Sequence, residues 1–292
     1  MSTDPSPGTP RGGASMSVAN RAVVIGLREA GVGVALVGLI VIFSILSPFF
    51  ATTANFTSIL AQVSINTILA VGMTFVILIA GIDLSVGSVL ALSTVIGAKL
   101  LTSDLDLGVS ILLTIVGCVG VGALCGLFNG FVSEWWRVPS FIVTLGMMSI
   151  ARGSAQVISN NVTITGMPKV FKDFGNWQLF DLVPVYFIIA IAIVFIAWFV
   201  LRFTIFGRFI YAIGNNEEAV RLSGHNPMPY KISAFLICGL LAGLAGLVFL
   251  LRLKAGSPIA AVGWELTAIA AVIIGGTSFA GGKGSVIGTF FG

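Results

Sequence analysis

The sequence predicts an all-α protein threaded repeatedly through a lipid bilayer. Hydrophobic residues make up 57% of the chain and charged residues only 9%, with a mean hydropathy of +1.08. A water-soluble domain carries about 25% charged residues, so this chain has too little charge to cover a water-facing surface. The apolar residues fall in long continuous runs between short polar segments, the pattern of membrane helices. A membrane β-barrel would instead alternate apolar and polar residues over segments of about 10. The 36 glycines suit the same class, since glycine lets membrane helices approach closely.

Taken in order, residues 1–20 are rich in Pro, Gly, Ser and Thr and read as a disordered tail. They do not resemble a signal peptide, because the apolar run comes late and no A-x-A site follows it. Residues 21–292 read as one transmembrane domain. Arg21 and Arg28 precede the first span, Ala30 to Leu46, and put the N-terminus on the cytoplasmic side by the positive-inside rule. The second apolar stretch, Ile59 to Ile82, carries Gln62, Ser64, Asn66 and Thr67. Polar residues inside a span face other helices or a water-filled path. Gln62 and Asn66 are therefore candidates for a translocation path.

Asp83 follows, at a position where a carboxylate is costly in a membrane. It stands in Asp-Leu-Ser ahead of the third span, Val86 to Leu101, and suits the N-cap of that helix. A place beside a path or gate, together with Ser85, is the other reading. A proton relay at Asp83 would need a partner at depth, and Arg152 is the one candidate. The fourth span, Gly108 to Val132, contains the small-x-x-x-small pair Gly122 and Gly126, suited to tight helix contact. Trp135 and Trp136 read as interfacial anchors. The fifth span runs from Pro139 to Ile158, and Asn160 to Leu182 reads as the longest external loop. Val183 to Val200 returns inward, and Ile232 to Leu251 goes out again. Leu266 to Ile274 is a short apolar run broken by Gly275-Gly276, and Thr277 joins these glycines as path candidates. A turn at Gly281-Gly282-Lys283-Gly284 precedes a last helix from Val286. Gly87-Ser88-Val89 and Gly284-Ser285-Val286 form a faint repeat, each after a polar break. Breaks at matched positions mark transport pathways in several membrane folds.

The polar window Gly207 to Lys231 lies between two spans. It holds Arg208, Glu217, Glu218, Arg221, Lys231 and the single histidine, His225. A short helix is predicted over Glu217 to Ser223. Asn216 suits its N-cap, and Glu217 and Glu218 sit where the helix dipole favours negative charge. Gly224 suits the left-handed residue that closes a helix, and Pro227 and Pro229 stop its continuation. At ~1.5 Å per residue the helix is roughly 10 Å long, too short to span a bilayer. Span parity and the bias of Lys and Arg place the window inside.

No catalytic set is visible. Gly282-Lys283 has the look of a phosphate loop, but Thr277 stands where the upstream glycine belongs. No metal or cofactor site is read. The net charge of +4 suits inward-facing Lys and Arg, not a nucleic-acid surface. Cys118, Cys125 and Cys238 sit in apolar runs and read as small buried hydrophobes.

Three stretches resemble one family. Gly214 to Gly224, GNNEEAVRLSG, is similar to the cytoplasmic coupling loop of the permeases of ATP-binding-cassette importers, in the branch moving ribose, xylose and galactose. Ala70 to Ser93 and Glu265 to Gly292 are similar to two further signatures of that family, which is shared with branched-chain amino acid permeases. The resemblance runs from about Asn55 to the last residue. It implies a type II-like importer permease with about 8–9 of the family's roughly 10 membrane segments present, the C-terminal spans being truncated. It implies a coupling loop at about 207–231, with Asn215, Asn216, Glu217, Glu218, Ala219, Arg221, Leu222, Ser223 and Gly224 meeting an ATPase. The implied partners are that ATPase subunit at the cytoplasmic face, an extracytoplasmic sugar-binding protein, a second permease copy and membrane lipid. ATP and Mg would sit on the partner subunit, not on this chain, in a bacterial inner membrane. The alternative is an ion-coupled secondary transporter or channel using Asp83.

Overall fold

A computed structural model describes residues 33–34 and 36–292. The predicted tail at 1–20, and Arg21 and Arg28, lie outside the described residues. Five helices are long and apolar enough to cross a membrane: α2 (Thr53–Leu78), α4 (Leu107–Trp135), α5 (Ser140–Ser159), α7 (Val185–Phe203) and α9 (Met228–Leu253). Three shorter apolar helices join them: α1 (Leu36–Leu46), α3 (Val86–Leu101) and α10 (Trp264–Ile274). The remaining helices are α6 (Lys169–Asn176), α8 (Ile205–Leu222) and α11 (Val286–Phe291). The protein is a polytopic helical membrane protein, as its composition predicts.

α2 and α9 form the centre. Their most apolar windows are 72% and 78% buried, against 22–28% for α4, α5 and α7, which present their outer faces to the surroundings. An exposed apolar surface of that extent is stable only in lipid. The closest helix pair is α4 with α9. The predicted contact at Gly122 and Gly126 is real and reciprocal. A Cβ at Gly122 would meet the backbone of Gly239 and Gly243, and one at Gly239 would meet Gly122 and Gly126. Without side chains between them the two backbones close on each other, and dispersion supplies the attraction that the hydrophobic effect does not supply in lipid.

The loop predicted over Asn160 to Leu182 is not featureless. It folds α6 and a two-stranded hairpin, β1 (Gln178–Leu179) with β2 (Val183–Pro184), pairing Gln178 with Pro184 and Leu179 with Val183. Phe171 and Gly175 are buried against the end of α9, and the Tyr186 hydroxyl donates to the Gly175 carbonyl. The apolar helices α3 and α10 are too short to cross unaided. At ~1.5 Å per residue, α3 and α10 reach roughly 24 Å and 16 Å, short of a hydrocarbon core of about 30 Å. Each adjoins a break, and the two breaks carry the functional argument.

Candidate translocation and coupling site

The first break runs from Ile79 to Ser85, between α2 and α3. Backbone N–H and C=O groups here have no helix to satisfy them, so other groups must. Ala80 and Gly81 donate back to Ile77 and Val76, at 2.9 Å each. α5 supplies two more partners. The Ser140 hydroxyl accepts from Ile82 N at 3.2 Å, and Thr144 Oγ1 accepts from Leu84 N at 3.1 Å. Asp83, Ser85 and Asn129 are almost fully buried together. Asp83 Oδ1 accepts from Ser85 N at 2.8 Å and Ser85 Oγ at 2.6 Å, and Asn129 Nδ2 donates to Ser85 Oγ at 3.0 Å. Asn129 Oδ1 is buried without a partner.

Asp83 is therefore not the N-cap of α3. Ser85 holds that position, its carbonyl accepting from Val89 N at 2.8 Å. The carboxylate sits two residues earlier and turns onto the N–H of Ser85 itself, an Asx-type local bond that competes with capping. Arg152 does not reach it. Its guanidinium donates to the carbonyls of Pro258 and Ala260 at 2.8 and 2.7 Å, clamping the segment that links α9 to α10.

The second break runs from Gly275 to Ser285, between α10 and α11. Gly275 closes α10, and Ser285 opens α11 by accepting from Gly288 N at 2.9 Å. Thr277 is buried with its hydroxyl unpartnered. The two breaks touch: Gly282 N donates to Leu78 O at 2.9 Å. The predicted repeat does not hold at the residues named for it: Gly87-Ser88-Val89 lies inside α3, whereas Ser285 is the N-cap of α11. Ser85-Val86 and Ser285-Val286 occupy the same two positions, N-cap and first helical residue, so the matched pair is Ser-Val and not Gly-Ser-Val. Of the path candidates, Asp83 with Ser85 and Gly275 with Gly276 and Thr277 fall in these two breaks. Gln62 and Asn66 stand apart on α2, Gln62 exposed and Asn66 half-buried with an unpartnered Oδ1.

The polar window is helical where a loop was expected. α8 runs from Ile205 to Leu222 and bends at Asn216, whose φ of −162° and ψ of 96° are extended. Thr204 Oγ1 caps its start, accepting from Gly207 N at 3.2 Å. The helix thus begins well before the predicted Glu217, and only Asn216 leaves it. That bend restarts the helix as the predicted short one. Asn216 Oδ1 accepts from Ala219 N at 3.0 Å, and Leu222 rather than Ser223 is its last residue. Gly224 has φ +85°, its N–H donates to Arg221 O at 2.9 Å, and His225 N donates to Val220 O at 3.3 Å. This pair of bonds is a Schellman closure, which needs a left-handed residue and so favours glycine. The His225 ring rests on Phe209, centroids 4.8 Å apart, and Phe209 stacks on Tyr230.

Charge pairing at this corner is internal. Glu217 meets Arg221 at 2.5 Å and Lys231 at 3.1 Å, and Lys231 also meets Glu134 at 2.7 Å. Partial burial pushes the Glu217 carboxyl up. The hydrogen bonds and charges of Lys231 and Arg221 outweigh that and hold it below its usual range. Glu217 and Arg221 are thus already engaged, while Glu218, Ala219 and Leu222 are exposed on the short helix. A cleft of about 800 Å³ opens beside it, lined by Glu134, Arg137, Lys231, His225 and the start of the first break at Ala80 and Gly81. Sequence reading missed Glu134, Asn129 and Tyr211. For Glu134 a signal existed, since span parity puts it at the same end as Lys231.

This fold and these sites define a polytopic membrane permease: two interrupted helices in contact within the bundle, and a kinked, capped helix at one end. Residues 55–292 match the family described as branched-chain amino acid transport system / permease component, and the chain belongs to that family. It is 44% identical to the ribose import permease protein RbsC of Escherichia coli (strain K12) over 265 residues, covering 89% of this chain and 80% of that protein. It is 40% identical to the D-allose transport system permease protein AlsC of the same strain, over 87% of this chain and 77% of that protein. Identity to the fructose import permease protein FrcC of Rhizobium meliloti is 37%, over 89% and 73%. No solved structure matches this chain.

Proposed function

We propose that this chain is the membrane-spanning subunit of an ATP-binding-cassette importer for a monosaccharide. Membership of the permease family and 35–44% identity to permeases named for ribose, D-allose, fructose and L-arabinose support import of a small sugar. The geometric observation that carries the coupling is the short helix from Glu217 to Leu222, fixed at both ends and presenting Glu218, Ala219 and Leu222 to solvent. Such a surface suits a groove on a separate ATPase subunit. Leu222, 82% exposed, supplies apolar contact, Ala219 permits close approach, and Glu218 is a rim charge that tunes association. In this reading the Asn216 end faces the cytoplasm and α6 with the hairpin faces outside, toward a sugar-binding protein. ATP and Mg are held by the partner, and a second permease copy completes the path.

The alternative, ion coupling through Asp83, lacks a charged relay partner for the buried carboxylate among the described residues. Among the described residues its hydrogen-bond partners are neutral, and Arg152 is engaged elsewhere.

Ala219→Trp is the test. Overpacking a close contact costs about 1–3 kcal/mol, so the variant is expected to insert normally yet lose uptake of labelled D-ribose, D-allose or D-fructose. Its ATPase partner is expected to stop responding to sugar-loaded binding protein. Normal uptake by the variant, or uptake without any ATPase, overturns the proposal.

A further inference from the structure

Among the described residues no hydrogen bond joins the short helix to the first break, yet the residues just before its bend hold the second one. Asn215 Nδ2 donates to Gly282 O at 3.0 Å and to Tyr211 O at 2.8 Å, and the Tyr211 hydroxyl donates to Gly284 O at 2.9 Å. Two of these acceptors, the Gly282 and Gly284 carbonyls, belong to the non-helical segment between α10 and α11. A backbone contact runs beside these bonds. A Cβ on Gly214 would meet Leu78 O and Gly282 N, and a Cβ on Gly282 would meet Asn215. Two glycines therefore let α8 lie directly on the segment. From Gly282 the chain of bonds continues, its N–H donating to Leu78 O at the last turn of α2, where the first break begins.

We infer that Tyr211 and Asn215 form a latch through which the short helix at Glu217–Leu222 moves the α10–α11 break. This rests on the coupling role proposed above. The latch lies on α8 immediately before Asn216, the only non-helical position within α8. Displacement of the docked helix thus has a bonded route to Gly282 and Gly284. Coupling between sites travels through contiguous bonded and packed groups that have two discrete arrangements. The break has local latitude for this: Gly276, Gly281, Gly282 and Gly284 all have positive φ, and the buried Thr277 hydroxyl has no partner. The first break differs, because its free N–H groups are tied to hydroxyls of α5, a helix with no hydrogen bond to α8 among the described residues. Tyr211 and Asn215 are positioning residues in this account. They touch no substrate and act through the second break.

The experiment places a reporter cysteine in the break, Ala280→Cys, in the full-length permease co-purified with its ATPase subunit. The rate of maleimide labelling is measured without nucleotide and after trapping with ATP, Mg and vanadate. Cys118 and Cys238 are buried and Cys125 half-buried, and the parent protein without the reporter gives the background. Trapping is expected to change the reporter's rate. With Tyr211→Phe and Asn215→Ala added, that change is expected to be lost while the ATPase stays bound, vanadate still traps and membrane yield is normal. A residue that only stabilised the fold would lower yield and leave the response in place. An equal change in the latched and unlatched proteins overturns the inference, as does a reporter that trapping never affects. If the ATPase does not co-purify with the parent permease, the functional proposal itself fails, which is a different outcome from either.

Discussion

The two breaks solve one problem in opposite ways. Both interrupt a helix within an apolar bundle, and both must satisfy free backbone groups where water is scarce. The first, Ile79 to Ser85, is tied to neighbouring spans: Ser140 and Thr144 on α5 cover its N–H groups, and Asn129 on α4 reaches Ser85. The second, Gly275 to Ser285, is tied to itself, to the last residue of α2 and to α8. One break is fastened to the frame of the bundle and the other to the element that would contact a partner. A fastening to the frame stabilises the fold, whereas a fastening to a movable helix transmits. Mutations in the two places should therefore read out differently, as lost protein in the first and lost coupling in the second.

The largest effect is expected from Asp83→Leu. The N–H and hydroxyl of Ser85 lose their shared acceptor in a buried place, and each unsatisfied buried group costs roughly 1–3 kcal/mol. Membrane yield should collapse. Asp83→Asn retains an acceptor oxygen and should keep both yield and transport. If Asp83→Asn instead abolishes uptake at normal yield, the carboxylate has a task beyond holding the break, and the frame-versus-coupling contrast is broken at its strongest point.

Next comes Thr144→Val, which is close in shape but removes the hydroxyl that accepts from Leu84 N. A loss on the order of 1–3 kcal/mol is expected, seen as a lower melting temperature of the purified permease. Uptake per folded molecule should stay close to normal. Its counterpart is Gly282→Ala. Here φ is +70°, unfavourable for alanine, and the added Cβ meets Asn215. This variant should fold with a smaller loss of yield than Asp83→Leu, yet uptake should fall further than in Thr144→Val. Equal uptake in the two variants would erase the distinction between the breaks.

Much of this was legible in the sequence, for identifiable reasons. The spans follow from apolar runs, and the tight α4–α9 contact follows from Gly122 and Gly126. The short helix follows from Asn216 and Gly224, because caps are local chemistry written within a few residues. What was hidden is non-local. Asp83 looked like a cap because Asp-Leu-Ser has the right local grammar, and only the placement of Asn129, Ser140 and Thr144 shows a carboxylate serving a longer break. Likewise Glu217 and Arg221 looked free for a partner. Arg221 is one turn from Glu217, so that pair could have been read from spacing, but the contact of Lys231 with Glu134 depends on two helices meeting.

The smallest effect is expected at Glu217. Glu217→Gln removes one charge from a chain of pairs that joins the short helix to the foot of α9 and the end of α4. Its side chain is 31% exposed, and pairs this wet contribute roughly 0–1 kcal/mol. Lys231 keeps Glu134, and Gln can still accept a hydrogen bond, so uptake should drop only slightly. The deficit should shrink as ionic strength rises from about 0.05 to 0.5 M, since screening weakens the wild-type pair as well. The pH dependence has a definite sign. The folded carboxyl lies below its reference value of 4.5. Its stabilisation is therefore complete above that value and is lost as pH falls through the folded pKa. Between about pH 8 and 6 the Glu217 contribution should be constant, so the wild type and Glu217→Gln should differ by the same factor throughout. A difference that already closes between pH 7 and 6 would mean that a group other than Glu217 titrates at this corner.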